Sequence, residues 1–219
     1  MFAVITGANR GIGLELARQL QETGASVLAA CRQTSEELDS LDLEVVQDVD
    51  VCSAEGVRKL AHAIGDRRID LLINNAGILL QESLDSMDFD AIERQFRVNA
   101  VGPLRITHGL LGNLDEGSKV AIVTSRMGSI GDNTSGSRYG YRMSKAAVNM
   151  AGVSLARDLA KRRIPVVLLH PGYVRTRMTG LQGNWGPGEA ARGLLDRIEE
   201  LTLKTSGRFW HASGEELPW

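Results

Sequence analysis

Phe2-Ala-Val-Ile-Thr6, followed directly by Gly7-Ala-Asn-Arg-Gly-Ile-Gly13, decides the architecture of this chain. The first five residues are apolar or β-branched and stop at a glycine, which predicts a short buried strand. Ile12, Leu16, Ala17 and Leu20 then recur at helical spacing, and Gly24 is a fitting stop for that helix. Between strand and helix, Gly7, Gly11 and Gly13 are spaced G-x-x-x-G-x-G, which differs from the common G-x-G-x-x-G fingerprint. The physics is shared. Glycines permit a tight turn, and they let backbone N–H groups and a helix N-terminus face a phosphate group.

The same alternation continues outward. Short apolar runs at 26–31, 43–49, 70–74, 119–124 and 165–170 read as strands. Amphipathic stretches separate most of them, among them 53–65 and the long segment 139–163, which is followed by Pro165. Near-continuous apolar strands alternating with helices predict an α/β doubly wound parallel sheet covered on both faces. No linker or change of composition interrupts the chain, so 1–219 reads as a single domain. The Gly- and polar-rich stretches 128–140 and 172–188 follow strands. In such a sheet they lie at the carboxyl ends, where ligands bind.

Composition narrows the function classes. The chain has 25 Lys plus Arg against 27 Asp plus Glu, a formal net charge of −2 that gives no electrostatic case for nucleic acid. Cys31 and Cys52 provide neither a disulfide framework nor zinc-ligand spacing, so no metal site is expected. No apolar run reaches the roughly 18 residues that span a bilayer. No basic segment precedes a long apolar stretch, so no secretory signal is expected. The unpaired cysteines fit a reducing, cytoplasmic setting.

Three further clusters carry polar chemistry. In Tyr141-Arg-Met-Ser-Lys145 the phenol and the ammonium are four residues apart, on one helix face. A nearby fixed positive charge favours phenolate, and a Tyr so tuned can exchange a proton with a substrate oxygen. Taken alone, such a pair is more often two surface residues one turn apart. Asn74-Asn-Ala-Gly77 and His170-Pro-Gly172 each stand at a predicted strand end, where a polar turn is the ordinary reading. His62, His108 and His211 have no convincing partners in the sequence.

The order of these motifs on one α/β chain resembles the short-chain dehydrogenase/reductase family, over essentially the whole length. Thr124-Ser-Arg-Met-Gly-Ser-Ile-Gly131, Tyr139 to Lys145, and the ending Gly207 to Trp219 resemble its branch of Sniffer-type carbonyl reductases and bacterial C-factor proteins. The resemblance implies one Rossmann-type domain with a mainly parallel seven-stranded sheet. It implies catalysis by Ser125, Tyr141, Lys145 and Asn99. Tyr141 would be the general acid in reduction, Lys145 would lower its pKa and hold the nicotinamide ribose, and Ser125 would hold the carbonyl oxygen. Asn99 would support a water-mediated proton relay. Much of the family has its serine 13 residues before the tyrosine, where this chain has Gly128. Ser125 lies 16 before and Ser129 lies 12 before, which leaves Ser129 as the rival.

For the cofactor, the resemblance implies contacts from Gly7, Asn9, Arg10, Gly11, Ile12 and Gly13. Asp48 and Val49 would frame the adenine. Asn75, Ala76 and Gly77 would line the middle of the cofactor, beside Tyr141 and Lys145. Pro171, Gly172, Val174 and Thr176 would hold the carboxamide. The second strand ends Ala30-Cys31-Arg32 without an acid to bind a ribose 2′-hydroxyl. Arg32 and Arg10 are suited to a 2′-phosphate, so NADP(H) is favoured, with NAD(H) as the alternative.

The substrate rim is expected from 78–84, 126–139 and 173–185, with Tyr173, Met178, Leu181 and Trp185 as an apolar wall. A short lid before Pro187 suggests an open pocket that accepts many carbonyl or alcohol substrates. Arg126 is expected to be a solvated loop charge. The leading reading is therefore an NADPH-dependent carbonyl reductase, with a dinucleotide-binding signalling or sensor protein of the C-factor type as the alternative. A methyltransferase would leave the Tyr–Lys pair unexplained. The family resemblance also implies a homodimer or homotetramer through helices at about 90–113 and 139–163, with Gly102, Ala146, Ala147 and Ala151 permitting close packing. Neither a nucleic-acid nor a membrane partner is expected.

Overall fold

The computed structural model describes residues 1–219. Seven strands form one sheet: β1 (Phe2–Thr6), β2 (Ser26–Ala30), β3 (Glu44–Val46), β4 (Ile69–Asn74), β5 (Leu114–Val123), β6 (Val166–His170) and β7 (Phe209–His211). Their order is β3-β2-β1-β4-β5-β6-β7, and every pairing is parallel. The helices are α1 (Gly11–Glu22), α2 (Glu36–Asp39), α3 (Ala54–Ile64), α4 (Phe89–Phe96), α5 (Gly102–Gly109), α6 (Tyr139–Leu159) and α7 (Pro187–Glu199).

Period-two alternation splits each strand between two cores. Phe2, Val4, Leu28 and Ala30 point to one side, with Leu60 of α3, Ile106 of α5 and Val148 of α6. Ala3, Ile5, Val27 and Ala29 point to the other, with Leu16 of α1 and Leu194 of α7. The strand order reverses at β1, between β2 and β4, which opens a crevice at their carboxyl ends.

The helices start for local reasons. Ser53 accepts the Gly56 amide (2.9 Å) to cap α3, and Asp88 accepts the Ala91 amide (2.9 Å) to cap α4. α1 has no such cap, since Arg10 makes no side-chain hydrogen bond there. Its first-turn amides therefore have no side-chain partner at the cap position.

Several boundaries differ from the sequence reading. The stretch expected to be one helix from about 90 to 113 is α4, a π-helical turn at Arg97–Val101, and α5 with Pro103 in its first turn. β5 starts five residues early because a bulge between Ile69 and Leu71 lets Leu114 pair before the apolar run begins. β7 is three residues long, too short for a periodic signal. Beyond it, Leu217 packs with Leu168 and Phe209, and Trp219 stacks on Phe209 (5.4 Å between centroids).

Candidate active site

The glycine loop is built by close approach to the end of β4. Gly7 has φ +69°, and a Cβ there would meet Ala76 Cα at 2.8 Å. A Cβ on Gly13 would meet Gly7 O at 2.2 Å and Asn75 Nδ2 at 2.5 Å. Asn75 Nδ2 donates to Thr6 O (3.1 Å) and Gly7 O (3.0 Å), while Thr6 Oγ1 accepts the amides of Asn75 and Ala76 (both 3.2 Å). The Asn9 carbonyl accepts Ser35 Oγ (2.8 Å), which ties the loop to the segment after β2. Gly11 borders Thr176, whose Cγ2 would lie 3.4 Å from a Cβ there. Ile12 packs on the core beneath α1. The predicted phosphate cradle and the predicted carboxamide segment thus meet across the crevice.

The residues expected around an adenosine divide. Arg10 and Arg32 are both exposed. Neither enters any ion pair of the chain. Asp48 follows β3 at φ +57° and pairs with Lys59 (2.7 Å). Val49 is buried in the core and donates its amide to Cys31 O (3.0 Å), so its side chain packs inward behind the end of β2.

On the other wall, α6 sets Tyr141 and Lys145 on one face, with Lys145 Nζ 5.7 Å from the centre of the phenol ring. Lys145 is buried, and its Nζ donates to Val123 O (3.0 Å). A Cβ on Gly77 would sit 3.8 Å from that Nζ and 3.3 Å from Asn99 Oδ1, so all three converge. Burial pulls the Lys145 ammonium down to about 8. Burial also pushes the Tyr141 phenol up to about 12, against downward pulls from the Ser125 hydroxyl and the Arg138 charge. The expected lowering of Tyr141 by Lys145 is not found: desolvation of the phenol dominates, and the opposing pulls come from Ser125 and Arg138.

The serine rivalry has a steric side. A side chain at Gly128 would meet the Lys145 carbonyl carbon at 2.6 Å and the Ala146 amide at 2.9 Å, so α6 excludes a serine at the family's usual spacing. Ser125 leads the short 3₁₀ turn Arg126–Gly128, accepts the Met127 amide (3.1 Å) and faces Tyr141. Ser129 accepts the Asp132 amide (3.1 Å) within its own loop.

Asn99 is buried inside the π-helical turn. Oδ1 accepts the Ile78 amide (2.8 Å), and Nδ2 donates to Ile78 O (2.9 Å) and Ser144 Oγ (3.0 Å). Ser144 Oγ in turn donates to Tyr141 O (2.8 Å). The Asn99 amide thus joins the turn after β4 to the first turn of α6.

Pro171 and Val174 are buried, and Gly172 approaches both Trp185 and His211. Several expectations change here. Trp185 packs on the core beside α7 and stands edge-on to His211 (5.4 Å), so it is not part of an exposed apolar wall. Tyr173, Met178 and Leu181 do stay exposed. His211 has partners after all: Ser213 Oγ at 2.7 Å and the ring of His170 at 5.0 Å. Register pairs His170 with His211 on adjacent strands, a neighbourhood that only the unread β7 creates. Burial and the neighbouring His211 lower His170 to about 3, which keeps it neutral. Arg126 is not merely solvated. It pairs with Asp132 (3.1 Å) and Glu215 (2.7 Å), tying the rim to the C-terminal tail. Gly102 packs inward against Val51, 2.8 Å from a Cβ built there, so its smallness serves the core.

A glycine turn at the sheet's reversal point, facing a half-buried tyrosine and a buried lysine on one helix face, fits an oxidoreductase of the short-chain type. The family model described as short chain dehydrogenase matches residues 1–186, and the chain belongs to that family. It is 42% identical over 222 residues to the 1-hydroxy-2-glutathionyl-2-methyl-3-butene dehydrogenase of Rhodococcus sp. (strain AD45), covering 99% of this chain and 98% of that protein. It is 46% identical over 154 residues to the C-signal protein of Myxococcus xanthus, covering 69% of this chain and 93% of that one. Among solved structures, the NADPH-bound carbonyl reductase from chicken fatty liver superposes with a TM-score of 0.89 at 27% identity, covering 99% and 98% of the two chains. No helix is long and apolar enough to cross a membrane.

Proposed function

We propose that the protein is an NADP(H)-dependent carbonyl reductase acting through Ser125, Tyr141, Lys145 and Asn99. The observation that carries this reading is the half-buried Tyr141 beside the buried Lys145, facing a glycine cradle that leaves no room for a side chain at Gly7 or Gly13. NADP(H) fits the cradle: the uncapped α1 amides suit the pyrophosphate, and the unpaired Arg10 and Arg32 suit a 2′-phosphate. The NADPH bound by the similar carbonyl reductase supports the same choice. When bound, the cofactor supplies or accepts the hydride.

The chain's own residues handle position and proton. Ser125 donates a hydrogen bond to the substrate carbonyl oxygen. Tyr141, with its value near 12, is fully protonated at neutral pH and gives its proton to that oxygen as the alcohol forms. Lys145, near 8, is mostly charged at pH 7 and stabilises the phenolate left behind. Asn99 acts as a positioning residue, because its amide is fully engaged in holding Ile78 and the Tyr141 turn. The exposed Tyr173, Met178 and Leu181 give an open rim suited to varied carbonyl compounds. Exposed Phe96 and Leu104 on the α4–α5 segment, with Met143 and Met150 on α6, support assembly into a homodimer or homotetramer.

The likeness to the C-signal protein favours a second reading, in which cofactor occupancy rather than turnover carries the function. Tyr141→Phe separates the two. The reductase reading expects NADPH binding, followed by fluorescence, to persist while carbonyl-dependent NADPH oxidation falls at least about 100-fold. Unchanged turnover in this variant contradicts the reductase mechanism.

A further inference from the structure

Beside Tyr141 lies a polar recess of about 390 Å³. Gln81, Met127, Ser135, Arg138 and Arg142 line it, together with the turn at Gly136 and Ser137. None of these residues is acidic. Neither arginine enters an ion pair of the chain. Burial and the neighbouring Arg138 charge both lower the pKa of Arg142, as expected for two guanidiniums held close without a counter-ion.

One of the two guanidiniums is also held in place. Arg142 Nε donates to Gly136 O and Ser137 O (both 3.1 Å), and its Nη2 donates to Ser135 Oγ (2.8 Å). A guanidinium has five N–H groups, so Arg142 keeps unused donors beyond these contacts. Arg138 Nη1 reaches only the Met127 sulfur, at 4.0 Å. Met127 is the residue whose amide binds Ser125 Oγ, and the Arg138 charge acts on the Tyr141 phenol, so residues of the recess adjoin both Ser125 and Tyr141. The buried Glu82 does not line the recess: its Oε1 accepts the Gly140 amide (2.9 Å) and Gln95 Nε2 (2.6 Å), and its Oε2 has no partner.

We propose that Arg138 and Arg142 form an anion subsite that selects carbonyl substrates carrying a carboxylate. This rests on the reductase reading and names its substrate class. Two unpaired guanidiniums, that of Arg142 fixed by the turn, match a carboxylate with charge-assisted and bidentate bonds. Because Arg142 is already ordered by the turn, little side-chain freedom is lost on binding. The carbonyl then lies at Ser125 and Tyr141 with the anion directed into the recess.

The test compares 4-formylbenzoate with methyl 4-formylbenzoate, which present the same aldehyde with and without the charge. Wild type is expected to favour the acid at least tenfold in kcat/KM, chiefly through KM, and to lose that preference in high salt. Arg138→Gln should cut the acid-to-ester ratio about tenfold, Arg138→Glu should reverse it, and Arg142→Lys should reduce it partially. Equal use of acid and ester by wild type, or parallel loss of both in the variants, overturns the subsite. If neither aldehyde is reduced, the reductase reading fails separately, and calorimetry with 4-formylbenzoate decides on the recess. Binding that disappears in Arg138→Glu supports the subsite, and no binding to wild type overturns it.

Discussion

The two walls of the crevice are made from opposite materials. The wall from β1, α1 and the end of β4 is backbone: Gly7 and Gly13 leave no space for a Cβ, and the Asn75 amide ties the turn together. The wall from β5, α6 and the π-helical turn is made of buried side chains: Asn99 donates to Ser144 Oγ, and Lys145 donates to Val123 O. The first wall fails when an atom is added. The second fails when a polar group is removed, because its partners remain buried.

That contrast breaks most sharply at Gly13. Gly13→Ala forces a Cβ against the Gly7 carbonyl, so NADPH binding should weaken at least about 100-fold and stability should drop by about 3 kcal/mol. Gly112→Ala, with open space around it, is the control that should change neither. Fluorescence titration and denaturant unfolding read both effects.

Lys145→Met comes next. Carbonyl reduction should fall about 100-fold while the fold persists. The pH response has a defined sign. Lys145 titrates near 8 in the folded protein, below its ordinary 10.5, so the unfolded chain holds the extra proton between those values. Wild-type stability relative to Lys145→Met should therefore rise with pH from about 8 to 10.5, as read from urea midpoints. Wild-type kcat/KM for reduction should decline across the same range, as the ammonium that stabilises phenolate is lost.

Asn99→Ala leaves the Ile78 N–H and C=O without their side-chain partner, so a loss of about 2 kcal/mol and a roughly tenfold lower kcat are expected. If kcat falls with Ile78 and α6 undisturbed by hydrogen exchange, Asn99 does more than position. The smallest effect is expected at Arg32→Ala, which should narrow the NADPH-over-NADH preference by about tenfold and leave NADH-linked turnover nearly as in wild type.

The backbone wall was far easier to read from sequence than the side-chain wall. Glycine has no substitute at Gly7 or Gly13, so the requirement is written in residue identity. The spacing of Tyr141 and Lys145 showed that they share a face, but not that burial would raise the phenol, since the direction depends on what covers it. Gly128 looked like a departure from the family's serine, and only the path of α6 supplies its reason. The His170–His211 pair was hidden because β7 is too short for a pattern, and the early start of β5 was hidden by a bulge among polar residues. Nothing in the sequence singled out Arg138 and Arg142, because the cavity they line is a property of the folded turn.

The most direct measurement is NADPH oxidation by the wild-type protein across a panel of aldehydes, ketones and quinones, with NADH as comparator. The account predicts substrate-dependent oxidation with a clear preference for NADPH. Tight NADPH binding with no turnover on any carbonyl, or a preference for NADH, would contradict it.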